Sequence, residues 1–282
     1  MLNKLKNFLL RKNPIFFIDS LVEFDEVLDE LSSEKVIGID TEFDWRNTYY
    51  PKLSLIQIST TKKIFLLDCL KLSSLYKLNK VFQNKVILKV FHAARSDVTV
   101  LSTSANLKIL NCFDIQAAEK YITKDDLKSY AKIVSKYLNL KIDKSQTNSN
   151  WLKRPFTKKQ INYAANDVRY LIKIYKKQRR ILEKEKAYLT VRHLTRREVS
   201  LGLQELHIPR LRKFKSHTKI EKDLFMWREN MAMERNVPPS YIFKDKYFKK
   251  ILKVYEENFS KDSIYEILKN EKLTNNLIDS LK

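Results

Sequence analysis

The amino-acid sequence predicts an α/β domain with a mixed sheet, followed by a small all-helical domain. Three strand-like runs lie close together near the N-terminus, at residues 35–43, 53–60 and 63–68. Strand-like and helical patterns then alternate, whereas residues 218–282 show only short helical patterns. Closely spaced strands favour antiparallel pairing, and the later alternation favours helices layered on a sheet.

The first domain begins with a strand-like run at residues 14–19, and Ser20 has the residue type that caps a helix. Apolar residues then recur at helical spacing at Leu21, Phe24, Val27, Leu28 and Leu31. After the three closely spaced strands, we expect a helix near 74–83, a strand at 86–91, a helix at 95–104 and a strand at 108–113. Mostly helical structure should continue to residue 190.

A domain boundary is expected where Pro209, between Ile208 and Arg210, interrupts the helical pattern. The predicted organisation is a first domain at residues 1–207, a linker at 208–217 and a second domain at 218–282. The second domain should contain four or five short helices.

The net charge of +22 is large and suggests a polyanionic partner. AT-rich coding could also raise the lysine count, but it would spread the charge evenly. Residues 173–215 instead contain 14 Lys and Arg against 4 Asp and Glu, and the segment from residue 216 onward contains 13 against 11. This distribution predicts a basic face that contacts phosphate.

Several protein classes are excluded by composition. The two glycines, Gly38 and Gly202, cannot form a phosphate-binding loop or a dinucleotide-binding motif. The two cysteines, Cys69 and Cys112, argue against a disulfide scaffold and fit the reducing cytoplasm. No apolar run is long enough for a transmembrane helix, and no secretory signal is recognisable at the N-terminus. A monomer is the default expectation.

Asp40 and Glu42 end an apolar run that reads Val-Ile-Gly-Ile-Asp-Thr-Glu-Phe at residues 36–43. Side chains two residues apart on a strand point to one face, so both carboxylates emerge side by side. Adjacent carboxylates stay ionised together when a cation lies between them, and divalent metals prefer such oxygens. The segment therefore predicts a metal site, although strand-end acids that face water give the same pattern.

Two later segments favour the metal site. Asp97 follows a second strand-like run near the start of a helix, where a capping acid would also be ordinary. Tyr163 and Asp167 are four residues apart on a predicted helix and share a face, although a surface acid beside a half-buried tyrosine is an alternative. The three features in this order are much less expected by chance than each one alone.

With these motifs, the sequence resembles the DEDD superfamily of 3′–5′ exonucleases, in the branch whose third motif contains tyrosine, and within it bacterial ribonuclease D. The matching segments are residues 40–43, 49–58, 92–97 and 144–155, together with Tyr163 and Asp167. The resemblance implies a ribonuclease H-like fold for the first domain. Asn150 departs from the family pattern, which has an acid before the tryptophan, so a substrate or packing contact is in question.

The resemblance also implies a metal-dependent hydrolase with two divalent ions, Mg²⁺ or Mn²⁺. Asp40, Glu42 and Asp167 would hold the ion that activates the attacking water, and Asp97 would support the second ion through water. Tyr163 would orient the attacking water. The implied substrate is RNA, tRNA precursors above all, which would be shortened from the 3′ end to 5′-mononucleotides without a nucleotide cofactor.

Further residues are candidate contacts for the nucleic acid: Phe43, His92, Lys144, Gln146, Trp151 and Arg154. Phe43 could stack on a terminal base or belong to the core. His92 could touch a phosphate, but a single histidine after a strand is usually structural. The other four precede the third motif, where their cations would neutralise phosphates unless the segment is only a solvated loop.

The segment after residue 218 resembles the helicase-and-ribonuclease-D C-terminal (HRDC) domain, a small nucleic-acid-binding module. Trp227, Arg228 and the pair Pro238 and Pro239 carry this resemblance. We expect Trp227 to lie in the core rather than to stack on a base. The nearly neutral charge of this segment favours a scaffolding role.

Two other functions remain open from the sequence. A 3′–5′ exonuclease that acts on DNA would carry the same carboxylates, and no residue in the sequence is certain to read the 2′-hydroxyl. A non-catalytic nucleic-acid-binding scaffold could keep the fold, but it would not need Asp40, Glu42, Asp97, Tyr163 and Asp167 together.

Overall fold

A computed structural model describes residues 13–143, 145–214, 218–257 and 260–281. The chain divides into two compact units, of which the first comprises residues 1–44 and 52–203 and the second comprises residues 45–51 and 204–282. None of the described helices combines the length and the apolar composition that a membrane-spanning segment requires.

A six-stranded mixed sheet forms the centre of the first unit. Its strands are β1 (Ile15–Ile18), β2 (Val36–Asp44), β3 (Lys52–Ser59), β4 (Ile64–Asp68), β5 (Leu88–Phe91) and β6 (Cys112–Asp114). Their spatial order is β1-β4-β3-β2-β5-β6. The pairs β2–β3 and β3–β4 are antiparallel, and the other three pairs are parallel. The predicted antiparallel meander and mixed sheet are therefore confirmed.

The last strand is shorter than the expected span of 108–113 and begins at Cys112. Asn111 has a left-handed backbone with φ of 58°, which interrupts an extended strand. The amide of Leu110 donates to the carbonyl of Phe82 rather than to a neighbouring strand. Within residues 108–113, Ile109 is buried in the core, whereas only Cys112 and Phe113 belong to the strand.

Helices cover both faces of the sheet. They are α1 (Leu21–Ser32), α2 (Asn79–Phe82), α3 (Ala94–Ala105), α4 (Ile115–Thr123), α5 (Tyr130–Leu138), α6 (Lys158–Arg169), α7 (Leu171–Lys184) and α8 (Tyr188–Gly202). One core contains Phe24, Ile39 and Val98, and the core on the opposite face contains Leu55 and Val168. Burial of these apolar side chains is the main force that fixes helices to the sheet.

Gly38 lets α7 approach the middle of β2. A Cβ atom at this position would lie 2.6 Å from Ser59 Oγ and 3.0 Å from Leu171 Cβ. Ser59 Oγ in turn donates to the carbonyl oxygen of Val168 over 2.8 Å. The absence of a side chain at Gly38 thus allows the α6–α7 junction to sit directly on the sheet, two residues before Asp40.

The second unit is helical. Its helices are α9 (His207–Phe214), α10 (Lys219–Glu234), α11 (Pro239–Ile242), α12 (Phe248–Glu257), α13 (Lys261–Leu268) and α14 (Glu271–Leu281). Trp227 is buried in its core, as expected, and the indole Nε1 donates to Asn276 Oδ1 over 2.7 Å. The guanidinium of Arg228 is also buried and donates to the carbonyl oxygen of Phe243 and to Asp245.

Two features differ from the sequence expectations. Pro209 does not interrupt a helix, because it is the third residue of α9, where its missing amide proton has no intrahelical acceptor. Residues 45–51 belong to the second unit, although residues 49–51 are part of the segment 49–58 that carries the sequence resemblance. The hydroxyl of Tyr49 donates to Glu229 Oε2 over 3.1 Å, and the Tyr49 ring lies in the core of that unit.

Candidate active site

Three carboxylates converge beside the end of β2. Asp40 and Glu42 project from one face of the strand, and Asp167 lies on α6. One carboxylate oxygen from each of the three residues lies within 4.8 Å of the other two. The hydrogen bond from Ser59 to Val168 holds α6 against the sheet at the residue that follows Asp167. Strand β2 and helix α6, which are far apart in sequence, thus together form one acidic cluster.

The helix that carries Asp167 begins with a local sequence signal. Thr157 and Gln160 form a capping box, in which the Thr157 hydroxyl accepts the amide of Gln160 and the Gln160 side chain accepts the amide of Thr157. From that start, Tyr163 and Asp167 fall on the same helix face. The capping box therefore fixes where the helix begins, and both side chains lie on the helix face that is turned toward β2.

Burial and mutual repulsion shift the proton affinity of these carboxyl groups. Burial raises the pKa of Asp40 to about 7. Burial is the largest influence on Glu42, and repulsion by Asp40, Asp167 and Asp97 adds to it, so the pKa of Glu42 rises to about 10. Burial, followed by repulsion from Asp40, also holds the pKa of Asp97 well above its usual value. A cation among these groups would reverse the repulsion.

Asp97 approaches the cluster from the first turn of α3. It is buried, and its Oδ1 accepts a hydrogen bond of 2.6 Å from Thr41 Oγ1. Thr41 lies between Asp40 and Glu42 on β2, so this bond links the second motif to the first. Asp97 stands outside the three residues whose oxygens converge, as a carboxylate that acts through water would.

A sharp turn aims α3 at the site. Ala93 adopts a left-handed backbone with φ of 60°, which a residue other than glycine rarely does. The amides of Ala93 and Ala94 donate to the two carboxylate oxygens of Asp114 at 3.0 and 2.9 Å. Asp114 also caps α4 through the amide of Gln116. This buried carboxylate therefore fixes the backbone just before Asp97.

Tyr163 lies beside the carboxylates with its hydroxyl 3.2 Å from Thr147 Oγ1. Burial and the nearby Asp167 hold the pKa of Tyr163 above its usual value, so the phenol keeps its proton. A neutral hydroxyl can donate one hydrogen bond and accept others without adding charge. This chemistry suits the orientation of a polar atom next to the carboxyl groups.

A cavity of about 250 Å³ opens over the cluster. Its lining residues are Asp40, Thr41, Glu42, His92, Tyr130, Thr147, Tyr163 and Asp167. A separate, larger cavity of about 760 Å³ lies beside α3, where Ala93, Arg95 and Ser96 form part of its wall. Residues of the turn before Asp97 line both cavities, since His92 lines the smaller one and Ala93 the larger one.

The structure gives different positions to the candidate nucleic-acid contacts. His92 lines the small cavity, and its Nε2 lies 3.1 Å from the carbonyl oxygen of Lys128. Phe43 is half-buried and packs against the apolar core on one face of the sheet. Gln146 bonds locally to Ser145 and Ser149 in the loop before α6. Lys144 lies outside the described residues.

Trp151 is buried and Arg154 is half-buried, and both side chains make contacts within the protein. Trp151 is 3% exposed, and its ring lies 5.9 Å from the ring of Tyr163. Arg154 donates to both carboxylate oxygens of Asp68, which is completely buried, and to the carbonyl of Ser54. Asp68 would be an unpaired buried charge without this guanidinium. Both side chains therefore hold the loop to the sheet beneath the site.

Asn150, the departure from the family pattern, takes part in the same loop. Its Oδ1 accepts the amide of Leu152 over 3.1 Å, which forms an Asx turn. Its carbonyl oxygen accepts from the Gln160 side chain over 3.4 Å. An asparagine can close this turn as an aspartate would, so the substitution leaves the loop intact.

Four residues of the site were not identified from the sequence: Thr41, Asp114, Tyr130 and Thr147. Thr41 had a signal, because it lies between two predicted ligands. Tyr130 donates to the carbonyl of Asn166 and accepts the amide of Tyr170, which are contacts between distant segments. Asp114 and Thr147 also belong to the site through tertiary contacts, so no local sequence pattern could have identified them.

The donor set fits a hard divalent cation. Asp40, Glu42 and Asp167 are the one group of potential metal ligands that converges in the described part of the chain, and it contains no thiol or imidazole. Carboxylate oxygens without sulfur or nitrogen ligands favour Mg²⁺ or Mn²⁺ over Zn²⁺. The raised pKa values of Asp40 and Glu42 are what such a cluster shows when no cation neutralises it.

Comparison with known proteins agrees with this geometry. The model of a family described as 3′–5′ exonuclease matches residues 15–183, and the model of the HRDC domain matches residues 217–258. Ribonuclease D of Desulfotalea psychrophila is 29% identical over 245 residues, which cover 81% of this chain and 64% of that protein. Ribonuclease D of Haemophilus influenzae is 30% identical over 263 residues, which cover 87% of this chain and 64% of that protein.

Among solved structures, the fold is similar to that of Escherichia coli RNase D, an exoribonuclease involved in structured RNA processing. The TM-score is 0.81 at 22% identity, and the match covers 93% of this chain and 74% of that chain. The chain spans 64% of the length of both ribonuclease D relatives. The exonuclease model covers more than half of the chain, and the family implies bound divalent metal ions. The chain therefore belongs to the 3′–5′ exonuclease family and also contains an HRDC domain.

Proposed function

We propose that the protein is a metal-dependent 3′–5′ exoribonuclease of the ribonuclease D type, which releases 5′-mononucleotides. The observation that carries the proposal is the convergence of Asp40, Glu42 and Asp167 within 4.8 Å, beside the hydroxyl of Tyr163. Paired carboxylates on a strand and a tyrosine four residues before an aspartate on a helix suit phosphodiester hydrolysis.

In this proposal, Asp40, Glu42 and Asp167 hold one divalent ion, and Asp97 supports a second ion through water. Mg²⁺ and Mn²⁺ are the ions that the oxygen-only donor set favours. When bound, such ions supply an activated water and stabilise the leaving oxygen.

The protein side chains position the reacting groups. The Tyr163 hydroxyl, which Thr147 holds from the other side, orients the attacking water by hydrogen bonding. Thr41 fixes the direction of the Asp97 carboxylate through its 2.6 Å bond. Tyr130 and His92 also line the cavity, where they would limit the space around the scissile phosphate.

RNA is the proposed substrate, with tRNA precursors as the first candidates. Support comes from the ribonuclease D relatives and from the net charge of +22. DNA is the second candidate substrate, because hydrolysis uses only the phosphodiester. A non-catalytic scaffold is a weaker proposal, since every carboxylate and the tyrosine of the motifs are retained.

In this proposal, the two units have different functions. The first unit carries all the proposed catalytic residues, and the second, which contains the HRDC domain, supports substrate binding or acts as a scaffold. The boundary proposed from the sequence, with a linker at 208–217, overlaps helix α9, and the second unit includes residues from 204 onward.

The test is digestion of a tRNA precursor labelled at the 3′ or the 5′ end, with Mg²⁺ or Mn²⁺ and with chelator. We expect immediate release of labelled mononucleotide from the 3′ end and stepwise shortening of the 5′-labelled strand. The Asp40→Asn variant should bind RNA and release no nucleotide. A DNA oligomer of matched sequence tests whether the enzyme prefers RNA or DNA.

Tight RNA binding without cleavage under either metal would support the scaffold instead. Internal cuts, or activity that persists in chelator, would contradict the proposed mechanism. Faster degradation of the DNA oligomer than of the RNA would move the assignment to a DNA exonuclease.

A further inference from the structure

A third cavity lies where strands β2 and β5 begin. It has a volume of about 530 Å³, and Val36 of β2, Leu88 of β5 and Asn111 before β6 form part of its wall. Asp40 lies four residues further along β2, so its Cα is about 13 Å from that of Val36. The cavity therefore opens at the opposite edge of the sheet from the three carboxylates.

Cationic side chains dominate this cavity, which we call the basic pocket. They are Lys35, Lys176, Arg179, Arg180 and Arg192, and the one carboxylate in the lining is Glu183. Glu183 pairs with Arg179 over 2.6 Å. Within the described residues, the other four cations have no carboxylate partner within ion-pair distance. A concave surface of one sign concentrates its potential and attracts a polyanion.

Arg192 is fixed in place without being neutralised. Its Nη2 donates to the amide oxygen of Asn111 over 2.7 Å. The Asn111 amide nitrogen donates in turn to the carbonyl oxygens of Lys85 and Ile87 at 2.8 and 3.1 Å. Asn111 therefore acts as a rigid, uncharged support that orients the guanidinium. A guanidinium held this way loses little entropy when it binds a phosphate.

The remaining groups are arranged along one side of α7. Lys176, Arg179, Arg180 and Glu183 follow each other at steps of three, one and three residues, so they share a helix face. Tyr175 and Tyr188 also line the pocket, with their hydroxyl oxygens 3.2 Å apart. The pocket thus offers cations for phosphate oxygens and a pair of phenolic hydroxyls that can hydrogen-bond to a ribose 2′-hydroxyl.

We propose that the basic pocket binds the sugar–phosphate backbone of the folded part of an RNA substrate while the 3′ end occupies the carboxylate site. This inference rests on the proposed function for the identity of the ligand. The pocket contributes affinity for structured RNA and takes no part in hydrolysis, because it lies at the other end of the strands. It also accounts for part of the basic segment at residues 173–215.

The test compares charge reversals in the pocket with reversals elsewhere. The pocket variant is Lys176→Glu with Arg180→Glu, and both native side chains are exposed, so folding should be preserved. The matched control is Lys62→Glu with Lys108→Glu, two exposed lysines of the same unit that do not line the pocket. Affinity for an RNA hairpin with a 3′ overhang is measured in chelator at several salt concentrations.

We expect the affinity of the pocket variant for the hairpin to be lower by at least about tenfold. The slope of log affinity against log salt concentration should be reduced in magnitude by about one to two. The control should bind within about twofold of the wild type. With Mg²⁺, kcat on a single-stranded RNA of about five nucleotides should be unchanged, since so short a strand is covered by one site.

Equal hairpin binding by the pocket variant and the control would overturn the inference. So would displacement of the hairpin by inorganic tripolyphosphate or by polyglutamate as effectively as by RNA, because the pocket would then be a site for small anions or acidic protein. Binding in chelator does not depend on cleavage. A wild-type protein that binds the hairpin through this pocket but never cleaves would refute the proposed function alone.

Discussion

The two ends of β2 carry opposite chemistry. At one end, Asp40 and Glu42 meet Asp167 in a cluster of carboxyl groups, where burial raises the pKa of Asp40 to about 7. At the other end, four cations without a described carboxylate partner surround the basic pocket. One strand therefore separates an acidic centre from a basic one by a few residues.

The two ends also differ in how they are held. The acidic end relies on buried contacts such as the bonds from Thr41 to Asp97 and from Ser59 to Val168. The basic end relies mainly on exposed lysines and arginines of α7, with Arg192 held by Asn111 and Arg179 paired with Glu183. Rigid placement suits chemistry at a single phosphate, whereas mobile cations suit many alternative phosphates. Substitutions at the two ends should therefore affect different kinetic quantities.

The largest effect is expected at the acidic end. Asp167→Asn removes one of three converging carboxylates and should lower kcat about a thousandfold or more, since metal-ion stabilisation is worth several kcal/mol. Hairpin binding in chelator should stay within about twofold. The matched control, Asp126→Asn, changes an exposed aspartate and should behave as wild type. Comparable losses of kcat in both variants would mean that Asp167 has no special role.

Tyr163→Phe tests orientation separately from charge. It removes only the hydroxyl that lies 3.2 Å from Thr147 and should slow cleavage about a hundredfold, as loss of a positioned proton donor or acceptor does. Tyr76→Phe, at a tyrosine that is 64% exposed, is the control. A rate for Tyr163→Phe equal to that of the control would remove the hydroxyl from the mechanism.

The stability of the metal-free protein should fall as pH rises. The pKa values of Asp40 and Glu42 increase on folding, from 3.8 to about 7 and from 4.5 to about 10. The folded state therefore binds more protons, and the stability present at low pH is lost as pH rises through these folded values. Mg²⁺ should offset this loss, so the Mg²⁺-induced rise in Tm should be larger at about pH 8.5 than at about pH 5.5.

The control for this measurement is Asp40→Asn combined with Glu42→Gln. This variant lacks both titrating groups, so its Tm should depend less on pH and respond little to Mg²⁺. A Mg²⁺ response that is the same at both pH values in the wild type would argue against ion binding by these two carboxylates.

The smallest expected effect concerns Thr41. Thr41→Val keeps the shape of the side chain but deletes the donor to the buried Asp97, which should lower the unfolding free energy by about 1–3 kcal/mol. Thr41→Ser keeps a hydroxyl and should retain most of that stability. Thermal unfolding in chelator measures both. Equal stability of the two variants would show that the Thr41 hydroxyl does not support Asp97.

Much of the acidic end could be predicted from sequence, because its features are local. The two-residue spacing of Asp40 and Glu42 sets their common face, and the four-residue spacing of Tyr163 and Asp167 does the same on a helix. The mixed sheet with its antiparallel centre followed from the spacing of the strands. The burial of Trp151 and the pairing of Arg154 with Asp68 could not be predicted, because the sequence of a loop does not show whether its aromatic and basic side chains face solvent or the protein.

The sequence by itself determined the order of strands and helices, the residue types of the acidic motifs and the overall positive charge, because these depend on spacing and composition. Tertiary structure decided which distant residues meet. It brought Thr41 to Asp97 and Asp114 to the turn at Ala93, and it gathered cations from Lys35 to Arg192 around one cavity. Contacts of this kind depend on how elements pack, and packing is set by the whole core rather than by any local pattern.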